Sequence, residues 1–264
     1  MMEESERATP PIGRPVALIT GGLGDIGQAV AITLVRDGFD CQILDLAPSE
    51  MGAARCAAVA EAEGVSPESL TYTQCDVQNA QALEHLVSSL PRLDVAVVNA
   101  GVVHSSPFLS ISEEAWMRQI GINLTGAFFT AQSSTRKMVA NGEPGLVIFM
   151  SSWVATRPWP EIAAYSASKA AVDQLMRQIA LELAPLQIRA VSVAPGIVRA
   201  GLARNQLENE PQYAARASRS IPLGSPQEAH DIANAVSFLA SPKARTMTGS
   251  ILLVDAGCTL GAPE

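Results

Sequence analysis

With 264 residues, a net charge of −8, 48% hydrophobic and only 17% charged side chains, the chain has the composition of a compact folded protein rather than a disordered one. The acidic balance leaves no broad basic surface for nucleic acid phosphates or anionic lipid, so neither nucleic acid nor a membrane is expected as a partner. No apolar run approaches the roughly 18 residues of a membrane span.

Residues 1–15 are acidic and Pro-rich with no apolar core, which reads as a flexible tail and not as a signal peptide. From 16 to 264, short apolar runs alternate with longer helical patterns without a linker-like shift or a repeat, which predicts one domain. Strands are expected at 16–20, 41–45, 70–75, 95–98, 146–150, 187–193 and 251–254. Helices are expected at 26–37, 51–63, 80–90, 113–139, 163–184 and 227–239. Most strands, the third excepted, are near-continuous apolar runs, as when both faces of a sheet are covered. Regular alternation of strand and helix predicts an α/β fold, a doubly wound parallel sheet of Rossmann type with right-handed crossovers. The polar stretch 200–224 breaks the rhythm, and an insertion of this size is expected to form a lid or a substrate wall. Cys41, Cys56, Cys75 and Cys258 form no Cys-x-x-Cys pair, so reduced thiols in a cytoplasm are expected and no metal site.

The first strand runs straight into Gly21-Gly22-Leu23-Gly24-Asp25-Ile26-Gly27 and then a helix. Gly22, Gly24 and Gly27 satisfy G-x-G-x-x-G, whose glycines let the backbone turn sharply and bring amides and a helix N-terminus against a pyrophosphate. Residues Gly21, Gly24, Asp25, Ile26 and Gly27 are therefore expected at the cofactor. Asp25 is expected to cap the helix with its carboxylate turned away from the phosphates, since aspartate is a good N-cap. Asp45 ends the second strand, where a carboxylate accepts both ribose hydroxyls and repels a 2′-phosphate. No Arg or Lys follows at Leu46, Ala47, Pro48 or Ser49, so the expected cofactor is NAD rather than NADP.

Further along, Cys75-Asp76-Val77 follows the third strand and Val98-Asn99-Ala100-Gly101 the fourth, and Asn123 lies in the long fourth helix. Ser151-Ser152 closes the fifth strand, Tyr165-Ser166-Ala167-Ser168-Lys169 opens the next helix, and Pro195-Gly196 follows the sixth strand. Together with Thr20-Gly21, this ordered set, spread over 16–257, resembles the short-chain dehydrogenase/reductase family. The family's loop, T-G-x-x-x-G-x-G, has glycine where this chain has Asp25, and the family often has Thr where this chain has Ala200. The resemblance implies that Asp76 and Val77 hold the adenine, and that Asn99, Ala100 and Gly101 pack on the cofactor backbone. It further implies that Pro195, Gly196 and Val198 lie at the nicotinamide, Val198 touching the carboxamide through its backbone.

Removing a hydride from a secondary alcohol requires a base for its hydroxyl proton, and Tyr165 serves if its phenol is lowered from about 10. Lys169, four residues on and on the same helical face, is expected to lower it by charge and, by resemblance, to bond the nicotinamide ribose. Ser152 stands thirteen positions before Tyr165, the family's usual spacing for the hydroxyl that orients the substrate oxygen. By the same resemblance, Asn123 would hold a water that passes protons from Lys169. The expected activity is NAD-linked interconversion of a small alcohol and its ketone, the alcohol being a sugar, polyol, hydroxy acid or sterol. Reduction of a 3-oxoacyl thioester and a non-catalytic dinucleotide sensor are the alternatives. The stretch between Ser152 and Tyr165 must pass near the reacting carbon, so Trp153 and Trp159 are expected as an apolar wall. Arg157 is weighed as a reader of substrate charge against a bland surface Arg paired with Glu161. The resemblance implies a homotetramer built through the long fourth and fifth helices.

Overall fold

A computed structural model describes residues 13–261, so the first twelve residues of the expected tail lie outside the described residues. The elements run β1 Val16–Thr20, α1 Asp25–Arg36, β2 Asp40–Asp45, α2 Ser49–Glu63, β3 Leu70–Gln74, α3 Ala80–Ser89 and β4 Val95–Val98. They continue with α4 Glu113–Ile120, α5 Ala127–Asn141, β5 Gly145–Met150, α6 Ala163–Leu183 and β6 Ile188–Pro195. The last are α7 Gly201–Asn209, α8 Pro211–Ser220, α9 Ala229–Ala240 and β7 Ile251–Val254. All seven strands pair in parallel in the order β3-β2-β1-β4-β5-β6-β7. Successive side chains of a strand point to opposite faces. Ile19, Ile43, Val97 and Ile148 therefore pack with α1 and α9, and Leu18, Leu44, Val98 and Phe149 with α3, α5 and α6. Chain order reverses between β1 and β4, and the connections leaving their C-terminal ends diverge to open a crevice.

The helix expected at 113–139 is interrupted. Gly121–Gly126 forms a π-turn between α4 and α5. Both flanking glycines sit under the chain that follows β3: a Cβ at Gly126 would lie 2.6 Å from Val77 Cγ2, and one at Gly121 2.6 Å from Gln78 Oε1. The turn inserts a residue into the helical repeat, and Asn123 within it is fully buried. Segment 200–224 is a helix pair, α7 and α8, whose Leu207, Tyr213, Ala217 and Ile221 pack with Trp153, Val154 and Trp159. Among the described residues no helix is long and apolar enough to cross a membrane.

Candidate active site

A cleft of about 440 Å³ opens at the switch point. Its floor is built by glycines that no other residue replaces. Gly21 has φ +62° and a Cβ there would lie 2.9 Å from Ala100 Cα, while a Cβ on Gly27 would lie 2.4 Å from the Gly21 carbonyl oxygen. Gly24 is different: it is the N-cap of α1, has room for a Cβ, and leaves the first-turn amides without a side-chain cap. Uncapped amides at a helix N-terminus and a cradle that any Cβ would fill suit a pyrophosphate. Thr20 ties the two loops of the crevice together, its Oγ1 accepting from the amides of Asn99 and Ala100 at 3.1 Å each. Asn99 Nδ2 returns the bond to the carbonyls of Thr20 and Gly21 at 2.9 and 3.1 Å.

Asp45 stands at the outer wall beside Leu46, with Asp76 and Val77 across from it. Its carboxylate accepts from the amides of Leu23 at 3.0 Å and Leu46 at 2.7 Å. Each oxygen keeps a lone pair free, so the group holds the glycine loop and remains available to ribose hydroxyls.

At the inner end, Tyr165 and Lys169 line the cleft with Met150 and Gly101. The Ser152 hydroxyl hydrogen-bonds the Tyr165 phenol and pulls it down, but burial is the larger effect and leaves the phenol above its ordinary value. The expected lowering of Tyr165 by Lys169 is therefore corrected for the chain alone. The Lys169 ammonium is 5.5 Å from the Tyr165 ring centroid and donates instead to the Met150 carbonyl at 2.7 Å. Burial lowers Lys169 to about 8 against the opposing charge of Asp173. Asn123 is committed to Val102, accepting its N–H and donating to its carbonyl at 2.8 Å each, and also reaches Ser168 at 3.3 Å. The Asn123 Oδ1 keeps one further lone pair.

Two expectations about side chains are overturned. Asp25 does not cap α1: Gly24 holds the extended N-cap conformation, and Asp25, one residue later, is already helical. Its carboxylate crosses to α7, where it accepts from Gly201 N–H at 2.8 Å and pairs with Arg204 at 2.9 Å. Arg157 meets neither Glu161 nor the cleft. It donates to the Cys258 carbonyl at 2.9 Å, and Glu161 is bound instead by Ser105. Arg157→Ala is accordingly expected to lower stability by about 1 kcal/mol. It should change kcat/KM equally for anionic and neutral alcohols, which paired thermal-melt and initial-rate measurements check.

Trp153 and Trp159 form an edge-to-face pair with centroids 5.3 Å apart, and Tyr213 of α8 meets Trp159 at 6.2 Å. Arg216 lies over the Trp159 ring at 5.6 Å, so the cation near this wall comes from α8 and not from position 157. The wall packs beside Tyr165 but does not line the 440 Å³ cleft, and neither do Pro195, Gly196 and Val198. Gly196 sits 2.7 Å, measured from an added Cβ, from the Asp255 backbone, and Val198 bridges to Gln227 in a short parallel contact.

Sequence reasoning missed Met150 and Leu202, which line the cleft, and the buried Asp173. Asp173 is 3% exposed, one helical turn past Lys169, and burial raises its carboxyl against the hydroxyls of Ser192 and Ser151. An acid four residues after a lysine was the available signal.

Residues 23–259 match the protein family described as enoyl-(acyl carrier protein) reductase. The L-2,3-butanediol dehydrogenase of Corynebacterium glutamicum is 33% identical over 92% of this chain and 97% of its own. The crystal structure of acetoin dehydrogenase YohF from Salmonella typhimurium is 33% identical, with TM-score 0.81 over 95% of this chain and 98% of that one. Carveol dehydrogenase from Mycobacterium avium in complex with NAD is 30% identical, with TM-score 0.84 over 96% of this chain and 100% of that one.

Proposed function

The chain belongs to the short-chain dehydrogenase/reductase family of nicotinamide-dependent oxidoreductases, and on that premise we propose that it interconverts a small secondary alcohol and its ketone with NAD, Tyr165 moving the proton. One observation carries the reading. A half-buried proton-transfer group, Tyr165 with Ser152 hydrogen-bonded to it, lines the same cleft as the glycine loop and Asp45. Two similar proteins are named for 2,3-butanediol and acetoin, which supports a small, vicinally oxygenated substrate.

In the oxidation direction Tyr165 must start as phenolate to accept the substrate hydroxyl proton and become the phenol, and Ser152 donates a hydrogen bond to the same oxygen. In reduction Tyr165 starts protonated, which its raised pKa favours, and donates to the developing alkoxide. Lys169 supplies positive charge behind the phenol, steadied by the Met150 carbonyl. A bound nicotinamide supplies the hydride acceptor or donor. Gly21, Gly24, Ile26 and Gly27 would hold its pyrophosphate, Asp45 and Leu46 its adenosine ribose, and Asp76 and Val77 its adenine. Val198 and its neighbours Pro195 and Gly196 would flank the carboxamide. Trp153 and Trp159 would bound the substrate on its apolar side. Four buried free thiols support a reducing cytoplasm. Exposed Trp116, Phe128 and Leu181 on α4, α5 and α6 support a homotetramer.

Cofactor choice is the direct test. At ~6 Å, the carboxylate of Asp45 repels a 2′-phosphate by roughly 0.7–3 kcal/mol per charge pair. The expected result is kcat/KM strongly favouring NAD over NADP in the parent, with the ratio narrowing about ten- to a hundredfold in Asp45→Ala. A parent that favours NADP refutes the assignment. An acyl thioester in the substrate panel separates this reading from thioester reduction, which the matched family description names.

A further inference from the structure

Two positions at which the chain departs from the family pattern meet in space. Helix α7 buries none of its nine residues, and its N-cap is Ala200, which has no side chain to cap it. Ala200, Gly201 and Leu202 nevertheless line the cofactor cleft, and so does Asp25 at the start of α1. The first amide of α7, that of Gly201, is satisfied by the Asp25 carboxylate at 2.8 Å, from a residue 176 positions earlier. Arg204, one turn into α7, pairs with the other carboxylate oxygen at 2.9 Å.

A helix N-terminus leaves its first amides without partners and carries a partial positive charge, which a nearby carboxylate stabilises. That carboxylate normally comes from the helix's own N-cap. Here it comes from the first turn of α1, so the start of α7 is capped only while it lies over the phosphate loop. The apolar tie of α7 is Leu207, toward its far end against the aromatic cluster. Elements with few buried contacts open most easily, and the end of α7 at the cleft is the end that Asp25 holds.

We propose that Asp25 is a positioning residue that caps α7 from the first turn of α1 and latches it over the phosphate loop, so that it governs how fast the dinucleotide enters and leaves. The inference rests on the reading that the cleft takes a nicotinamide dinucleotide. A latch slows entry and exit together, so the equilibrium affinity changes less than either rate. Direct repulsion of a pyrophosphate by Asp25 acts differently: removing the charge would slow release and tighten binding.

The test uses Asp25→Gly, Asp25→Asn and Arg204→Gln in the full chain. Asp25→Asn keeps an acceptor for the Gly201 amide and loses the charge, whereas Arg204→Gln keeps that carboxylate and loses the ion pair together with a long bond to the Arg199 carbonyl. Amide hydrogen exchange of the cofactor-free protein is expected to accelerate over 201–209 in Asp25→Gly and less in the two milder variants. Stopped-flow fluorescence is expected to show NADH binding and release both faster by about three- to tenfold in Asp25→Gly, with Kd shifted less than either rate. Exchange over 201–209 and NADH release both within twofold of the parent would overturn the latch. So would slower release with a tighter Kd. A parent that binds no NADH refutes the cofactor reading instead, while the exchange experiment still decides whether Asp25 holds α7. Should Asp25→Gly fail to fold, Asp25→Asn and Arg204→Gln decide the question by the same two readouts.

Discussion

Replacing Tyr165 with Phe is expected to lower kcat about a thousandfold while NADH still binds with nearly the parent affinity. The substitution removes one oxygen and leaves the ring that packs against the cluster built around Trp153, Val154 and Ile197. General acid–base catalysis by a positioned group contributes on the order of 10²–10⁴ in rate. Ser152 can still hydrogen-bond the substrate oxygen, but it has no base behind it. Steady-state kinetics with a fluorescence titration of NADH checks both halves of the expectation. Turnover within tenfold of the parent would remove Tyr165 from the proton path.

Lys169→Ala is expected to cost both kcat and cofactor affinity, each by about a hundredfold, because charge behind the phenol and a hydrogen-bond donor in the cleft vanish together. The pH dependence separates this from simple loss of packing. Burial holds the Lys169 pKa near 8, so its charge is nearly complete about a unit below that value and disappears as the pH rises through it. Affinity of the free protein for NADH should be flat below about pH 7 and weaken as the pH rises through 8. In Lys169→Ala that limb should be absent, leaving a uniformly weak profile. Asp173 is the charged group that faces Lys169 one turn along the same helix, and its negative charge opposes the lowering. A parent profile that is flat from pH 7 to above 9 would contradict the role given to the ammonium.

Much of this arrangement is legible in the sequence because it depends on local rules. The strand at Val16–Thr20 and the glycines after it announce themselves, since Gly21 needs a positive φ and Gly27 needs to touch the Gly21 carbonyl. Strands β4 and β7 appear where short apolar runs predict them. The interruption of the fourth helix does not appear, because a single π-turn adds one residue and barely disturbs an apolar period. The N-terminus of α1 moves by one residue, and that shift decides whether Asp25 caps its own helix or reaches another. Partners far apart in the chain are invisible to spacing. Arg157 finds Cys258, 101 residues away, and Asp25 finds Gly201, so a local reading supplies the wrong neighbours for both. Tyr165 and Lys169 are located correctly by their helical spacing, but the competition between burial and charge that sets their pKa values requires the folded surroundings.

The most direct measurement of the central claim is an initial-rate assay of the parent protein and Tyr165→Phe. Each is incubated with NAD and a panel of small secondary alcohols weighted to vicinal diols. Reduced nicotinamide is followed by absorbance, and the ketone is identified in the product mixture. The account predicts NADH and ketone in equal amounts from at least one small diol with the parent, and almost none with Tyr165→Phe. It is contradicted if no secondary alcohol is oxidised while an acyl thioester is reduced with NADPH, or if the two proteins turn over alike.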